Sequence, residues 1–287
     1  MSQSIDTANT RTLMRDFSLE MTGKDVEALR EAAPSIAPGT RVNVTFLGNE
    51  DLNMRVTAAK AVKDLGFIPV PHISARRIQS EDELKEFLQA LADVDAAKHV
   101  FAVGGDPAEP MGPYGSSLEM LESGIFSDFG VEDVSIAGYP EGHPDISDEV
   151  LWRELKGKVN LLTEQNLSTV ILTQFGFDTD PVATWLNDLA TASISAPVRI
   201  GVPGPAGIKR LLGYAKRFGV GTSAGIVKKY GFSLTNLMGS AGPEKFLKEL
   251  AEDAAASNFK GDVGVHFYTF GGMAKTADWA QEFINDL

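Results

Sequence analysis

At 287 residues the chain is long enough for two average domains or one α/β barrel, and its 43% hydrophobic and 23% charged residues are globular rather than disordered values. Cysteine is absent, which excludes disulfides, thiolate metal sites, iron–sulfur clusters and a cysteine nucleophile. With 26 basic against 39 acidic residues the net charge is −13, so nucleic acid and anionic lipid are poor partners, while the lack of an apolar leader or an eighteen-residue apolar run predicts a cytoplasmic protein.

Residues 1–14 read as an N-terminal tail, and residues 15–287 as a single catalytic domain. The first strand-like run is RDFSLEM (15–21), followed by a helical pattern over 24–32. RVNVTFLG (41–48) and FIPVPHIS (67–74) are next, then EDELKEFLQALAD (81–93), which spaces Leu84, Phe87, Leu88 and Leu91 on one helical face. KHVFAVGG (98–105) and DVSIAGYP (133–140) precede a helix over 148–162. STVILTQFGF (168–177) leads to a helix over 181–191, opened by Pro181 behind Asp178 and Asp180. PVRIGVPG (197–204) is separated from VGVHFYTF (263–270) by a long stretch with two or three helical segments, one starting at Pro243, and a helix over 273–286 closes the chain. The strand runs are near-continuously apolar, the pattern of parallel strands buried on both faces. Eight of them alternating with helices predict a (β/α)₈ TIM barrel whose seventh β/α connection is elaborated.

Barrel enzymes carry their sites at the C-terminal strand ends. Those ends supply Glu20, Thr45, His72, Asp106, Tyr139, Glu141, His143, Gln174, Asp178, His266, Tyr268 and Thr269. A histidine or tyrosine at a strand end is by itself most simply a hydrogen-bonded structural residue. Polar groups at the same end of seven of the eight strands point instead to a shared pocket, because buried polar groups need partners or a ligand. Its chemistry is narrowed by what is missing: no His-x-His on the first strand, no P-loop and no lysine inside a strand. His72, His143 and His266 could meet at a metal, but the set as a whole suits an organic ligand, and no metal is expected. One carboxylate at Glu20, a second at Asp106 and surrounding amide, hydroxyl and imidazole groups fit a large heteroaromatic and a hydride transfer coupled to one proton.

The segments VPHIS (70–74), GGDP (104–107), AGYPEGHPD (137–145), LTQFGFD (172–178) and VHFYTF (265–270) resemble, in order and spacing, the motifs of the 5,10-methylenetetrahydrofolate reductase family. That family is a flavin-containing TIM barrel. The resemblance implies an oxidoreductase interconverting 5,10-methylenetetrahydrofolate and 5-methyltetrahydrofolate, with NAD(P)H as hydride donor or acceptor, tetrahydrofolate as one-carbon carrier and bound FAD between them. It implies Glu20 as the acid that protonates the folate as its five-membered ring opens, which near neutral pH calls for a carboxyl pKa raised by burial. It implies Asp106 as the aspartate that stabilises the developing cation, with Gln174 and Tyr268 on the folate. Thr45, His72, Asp106, Tyr114, Gly115, Ser116, Tyr139, His143 and Lys158 fall where family members contact the flavin dinucleotide. Folate and nicotinamide are then the partners, and a homo-oligomer is compatible with the family.

Three departures bear on the flavin and the folate. The family's Arg-Gly-Asp at the end of strand four is Gly104-Gly105-Asp106 here, an arginine beside Lys158 is replaced by Gly157, and the folate-side arginine after strand eight by Gly271 or Gly272. The first two losses remove guanidinium donors suited to a pyrophosphate. Weakened flavin affinity follows as an expectation, with flavin-free hydride transfer or a non-catalytic folate- or flavin-binding subunit as the alternatives.

Overall fold

The apolar runs become strands whose hydrogen bonds and side-chain faces are satisfied by neighbours on both sides, and the parallel pairing follows chain order until the last strand meets the first. The structure is a computed structural model describing residues 2–217, 219, 220 and 240–287. Its strands are β1 (Ser18–Met21), β2 (Arg41–Val44), β3 (Ile68–Ser74), β4 (His99–Val103), β5 (Asp133–Gly138), β6 (Ser168–Phe175), β7 (Val198–Pro203) and β8 (Val263–Tyr268). They form a closed parallel barrel. The closing register sets Ser18 opposite His266, and the β1–β2 register sets Glu20 opposite Asn43. These four side chains therefore stand at neighbouring levels of the wall. Between β6 and β7 the register shifts from Leu172 to Phe175. Within that bulge the Gly201 N–H donates to the Thr173 hydroxyl at 2.8 Å, in place of a ladder carbonyl.

The helices are α1 (Ser2–Met14), α2 (Val26–Ala32), α3 (Leu52–Asp64), α4 (Glu81–Ala92), α5 (Ser117–Glu122), α6 (Asp148–Glu164), α7 (Thr179–Thr191), α8 (Ile208–Arg217), α9 (Glu244–Ala256) and α10 (Met273–Asp286). Side chains that precede them satisfy their first N–H groups: Asp51 accepts from Met54, Ser80 from Glu83, Ser116 from Glu119 and Asp178 from Asp180. Pro181 sits in the first turn of α7 rather than at its start, at a position where a missing N–H costs no intrahelical bond. The seventh connection is elaborated as expected, by α8 and α9 together with a two-residue ribbon pairing Ala206–Gly207 with Ser240–Ala241. The rest of that connection lies outside the described residues.

The segment expected as a tail is helical instead. α1 packs against α9 and β8, and Thr10, Leu13 and Met14 are buried by it. Helix–barrel packing otherwise forms one continuous apolar layer outside the strands, whereas the barrel's own lumen holds a small apolar cluster of Val70, Phe101 and Leu172. No described helix is long and apolar enough to cross a membrane.

Candidate active site at the barrel mouth

Alternation along β1 turns Ser18 and Glu20 into the lumen, with Glu20 at the C-terminal end. The Glu20 side chain is 17% exposed and lies between two imidazoles: Oε2 is 3.8 Å from His72 Nε2 and 3.7 Å from His266 Nε2. The two rings are held differently. The Asn43 amide donates to His72 Nε2 at 3.2 Å, which leaves that nitrogen without a proton. Burial pushes the His72 pKa down to about 4, against the pull of Glu20, so the ring is neutral near pH 7. It also packs edge-on against Phe101 at 4.7 Å. His266 is fully buried, its Nδ1 shares a hydrogen bond of 2.8 Å with the Ser18 hydroxyl, and its Nε2 has no hydrogen-bond partner.

Tyr268 extends the same wall. Its hydroxyl donates to the Thr173 carbonyl at 3.1 Å, and its ring meets His266 and Phe175 edge-on at 5.0 and 5.4 Å. Burial raises its pKa well above that of an ordinary phenol, and the nearby Glu20 and Tyr139 add to the shift, so it acts as a neutral donor. Gly201 makes room for it: a Cβ there would stand 2.8 Å from the ring. The Thr269 hydroxyl donates to the Glu20 carbonyl at 2.7 Å and ties β8 to β1 at the mouth. Thr45 follows β2 with its hydroxyl oxygen buried and unpartnered. Tyr139, His143 and Gln174 share a crevice beside this wall, with Tyr139 and His143 edge-on at 5.4 Å. The Gln174 carbonyl oxygen accepts from the Phe175 N–H at 3.1 Å.

The remaining expected residues form a second group on the rim after β4. Asp106 is 76% exposed, and its Oδ1 is gripped by Arg77 Nε at 2.8 Å and Nη2 at 2.7 Å. The Arg77 guanidinium lies against Gly48, where an added side chain would displace it. Arg76 Nε donates to the Pro107 carbonyl at 2.8 Å and Nη1 to that of Gly115 at 3.3 Å, and Nη2 donates to Ala108. Tyr114 is buried, which raises its pKa. Gly115 and Ser116 belong to a capping box: the Gly115 N–H donates to the Glu119 carboxylate at 2.6 Å, and Ser116 Oγ accepts from the Glu119 N–H. Lys158 is buried on α6 with Nζ 3.4 Å from the Ser117 hydroxyl, and burial lowers its pKa. Gly157 lies beside Leu118, whose Cδ2 would stand 2.9 Å from an added Cβ, so a side chain there would have to displace that leucine's tip.

Glu20, His72 and Tyr268 are thus assembled around one point, whereas Asp106 and Lys158 are each bound elsewhere. Among the described residues no cluster of three or more histidines and carboxylates is arranged to hold a metal. Asn43, Ser18, Arg76 and Arg77 were not anticipated. Inward alternation with Thr45 and Glu20 could have marked the first two; a turn alone decides the arginines' direction.

Fold and site define a TIM-barrel protein with a partly buried carboxylate, flanked by imidazole and phenol, at the C-terminal strand ends. The methylenetetrahydrofolate reductase family model matches residues 3–223, and the chain belongs to that family. Among solved structures it is similar to an uncharacterized protein from Clostridium thermocellum that binds two copies of 5-methyl-5,6,7,8-tetrahydrofolic acid, with a TM-score of 0.59 and 11% identity over 96% of this chain and 98% of that one. It is also similar to the dihydropteroate synthase of Thermus thermophilus, with a TM-score of 0.49 and 14% identity over 94% and 93% of the two chains.

Proposed function

We propose that this chain interconverts 5,10-methylenetetrahydrofolate and 5-methyltetrahydrofolate, with a nicotinamide dinucleotide as hydride donor or acceptor and Glu20 as general acid. The observation that carries the reading is the setting of Glu20: at the mouth, largely withdrawn from water, beside a neutral His72 and a neutral Tyr268. In the reductive direction Glu20 protonates the folate nitrogen that leaves as the five-membered ring opens. Hydride then reaches the exocyclic carbon, and one proton and one hydride account for the methyl product. Tyr268 and Gln174 orient the pterin, while Asp106, ion-paired with Arg77 on the rim, would have to release that arginine to support the developing cation. The neighbour from Clostridium thermocellum supports a folate ligand in a barrel of this shape.

FAD fits this chain in part. Thr45, with an unpartnered buried hydroxyl, and Tyr139 suit the ring end of a flavin. A diphosphate is less well served, because Lys158 is buried, Arg76 and Arg77 are committed to the rim loop, and the Glu119 carboxylate occupies the Gly115 N–H. A bound diphosphate would face that carboxylate with no uncommitted cation from these three residues. This favours direct hydride transfer between nicotinamide and folate, with transfer through bound FAD as the second reading, carried by the motif positions.

The test is oxidation of NADH or NADPH dependent on methylenetetrahydrofolate, compared with Glu20→Gln. Loss of a positioned acid lowers kcat by about 10²- to 10⁴-fold while the Kd for methyltetrahydrofolate stays within a few-fold. Equal turnover by the variant would remove Glu20 from the role.

A further inference from the structure

TIM-barrel lumens are ordinarily filled by branched apolar side chains. Here Ser18, Asn43, Ser135 and His266 are buried inside the wall, and below them the lumen opens at the N-terminal strand ends into a cavity of about 660 Å³. The cavity lies at the opposite end of the barrel from the mouth, and Ser18, Asn43 and Ser135 line its inner end. Its charges are balanced: Arg41 pairs with Asp133 at 2.9 Å and Arg199 with Asp262 at 2.8 Å. Burial works to raise the Asp133 pKa, but His99 and Arg41 outweigh it and keep the carboxyl below its usual range. A polar cavity of this size with no net charge suits water rather than an anion.

Two side chains at its inner end touch the imidazoles beside Glu20. Asn43 donates to His72, and an amide cannot relay a proton; the accepting nitrogen is also the one that faces Glu20. Ser18 is different. Its hydroxyl meets His266 Nδ1 at 2.8 Å, and the opposite ring nitrogen, unpartnered, points at Glu20 Oε2 across 3.7 Å.

We infer that Ser18 and His266 form a proton path from the cavity in the barrel floor to Glu20, which reloads the acid from the face opposite the substrate. This deepens the proposed function and rests on Glu20 being the acid. After Glu20 has given its proton to the folate, the reload runs in concert: cavity water gives a proton to Ser18, the Ser18 hydroxyl proton passes to His266 Nδ1, and the Nε2 proton passes to Oε2, with the water replenished from bulk. One proton enters and one is delivered. The ring is left with its proton on Nδ1 and returns to the Nε2–H tautomer after the products leave, when Nε2 takes a proton from water at the open mouth and Nδ1 returns one to Ser18. The 3.7 Å gap closes by about 1 Å to reach hydrogen-bond distance, a tightening common when substrate fills a site. The path matters while folate and nicotinamide occupy the mouth, where Glu20 is already only 17% exposed.

The experiment compares wild type, Ser18→Ala and Ser18→Thr in the reductive assay, in H₂O and D₂O. Expected for Ser18→Ala is a fall in kcat of tenfold or more with little change in folate KM and a larger solvent isotope effect, and Ser18→Thr recovers most of the rate. Independently of turnover, NMR should show the His266 ring N–H exchanging with water more slowly in Ser18→Ala than in wild type. A Ser18→Ala protein with wild-type kcat, isotope effect and ring-proton exchange overturns the path. A wild type with no folate-dependent nicotinamide oxidation overturns the proposed function instead, and the exchange measurement still decides whether the path exists.

Discussion

Glu20 and His72 face each other across 3.8 Å without a hydrogen bond between them, because the imidazole nitrogen on that side already accepts from Asn43. The ring is therefore a neutral wall for the carboxyl group rather than its counter-ion, and burial that lowers the His72 pKa to about 4 keeps it so.

That burial has a measurable cost in acid. An unfolded histidine takes up its proton near pH 6.5, whereas folded His72 does so only near 4. Between those values the unfolded state binds the extra proton, so stability is fully present above pH 6.5 and falls as the pH drops to 4, by about 3 kcal/mol at most. Urea titrations at a series of pH values should show this slope in the wild type and its loss in His72→Phe. An unchanged slope in the variant would assign the acid sensitivity to other groups.

Lys158 tests the rim. Burial lowers its pKa, so between the folded and unfolded values the unfolded state holds more protons, and at neutral pH the charged ammonium is a burden on the fold. Lys158→Met keeps the stem and removes the charge, and should gain about 1 kcal/mol, raising Tm by about 2 °C. A loss of stability would mean that the contact with Ser117 outweighs desolvation.

Flavin content follows from the same rim. The purified protein should lack flavin absorption bands, and added FAD should bind weakly and be displaced by salt, as expected where a diphosphate meets the Glu119 carboxylate. Flavin retained through equilibrium dialysis at high salt would reverse the preference and make FAD the hydride carrier.

Gly201 links wall and site. An added Cβ would lie 2.5 Å from the Thr173 carbonyl oxygen and 2.8 Å from the Tyr268 ring, so Gly201→Ala must move backbone or the tyrosine. Overpacking of this kind costs about 1–3 kcal/mol. Thermal unfolding should register it, and folate affinity should fall with it if Tyr268 contacts the pterin; unchanged affinity would take Tyr268 out of the pocket.

The barrel was legible because most of the strand runs are near-continuously apolar and the expected helices carry an apolar stripe such as Leu84, Phe87, Leu88 and Leu91. α3 gave no such stripe: its buried face is Ala58, Ala59, Ala61 and Val62, too small to stand out from its surroundings. α1 is polar overall and, among its described side chains, buries Thr10, Leu13 and Met14, so nothing local distinguished it from a tail. Glu20 and Tyr268 could be placed because strand ends and motif resemblance agree on them. Asp106 also lies just after its strand, but its pairing could not be read, since Arg77 arrives from the turn after β3, and a turn's direction is settled by packing rather than by pattern.

Arg76 joins that turn to the loop after β4 through its guanidinium and its backbone, whose N–H donates to Gly104 and whose carbonyl accepts from Met111, both at 2.9 Å. A segment fastened so densely by one residue has lost its conformational freedom before any ligand arrives. On this side of the mouth, the entropy of ordering the loop is then charged to folding rather than to affinity, and the rim acts as a fixed jaw.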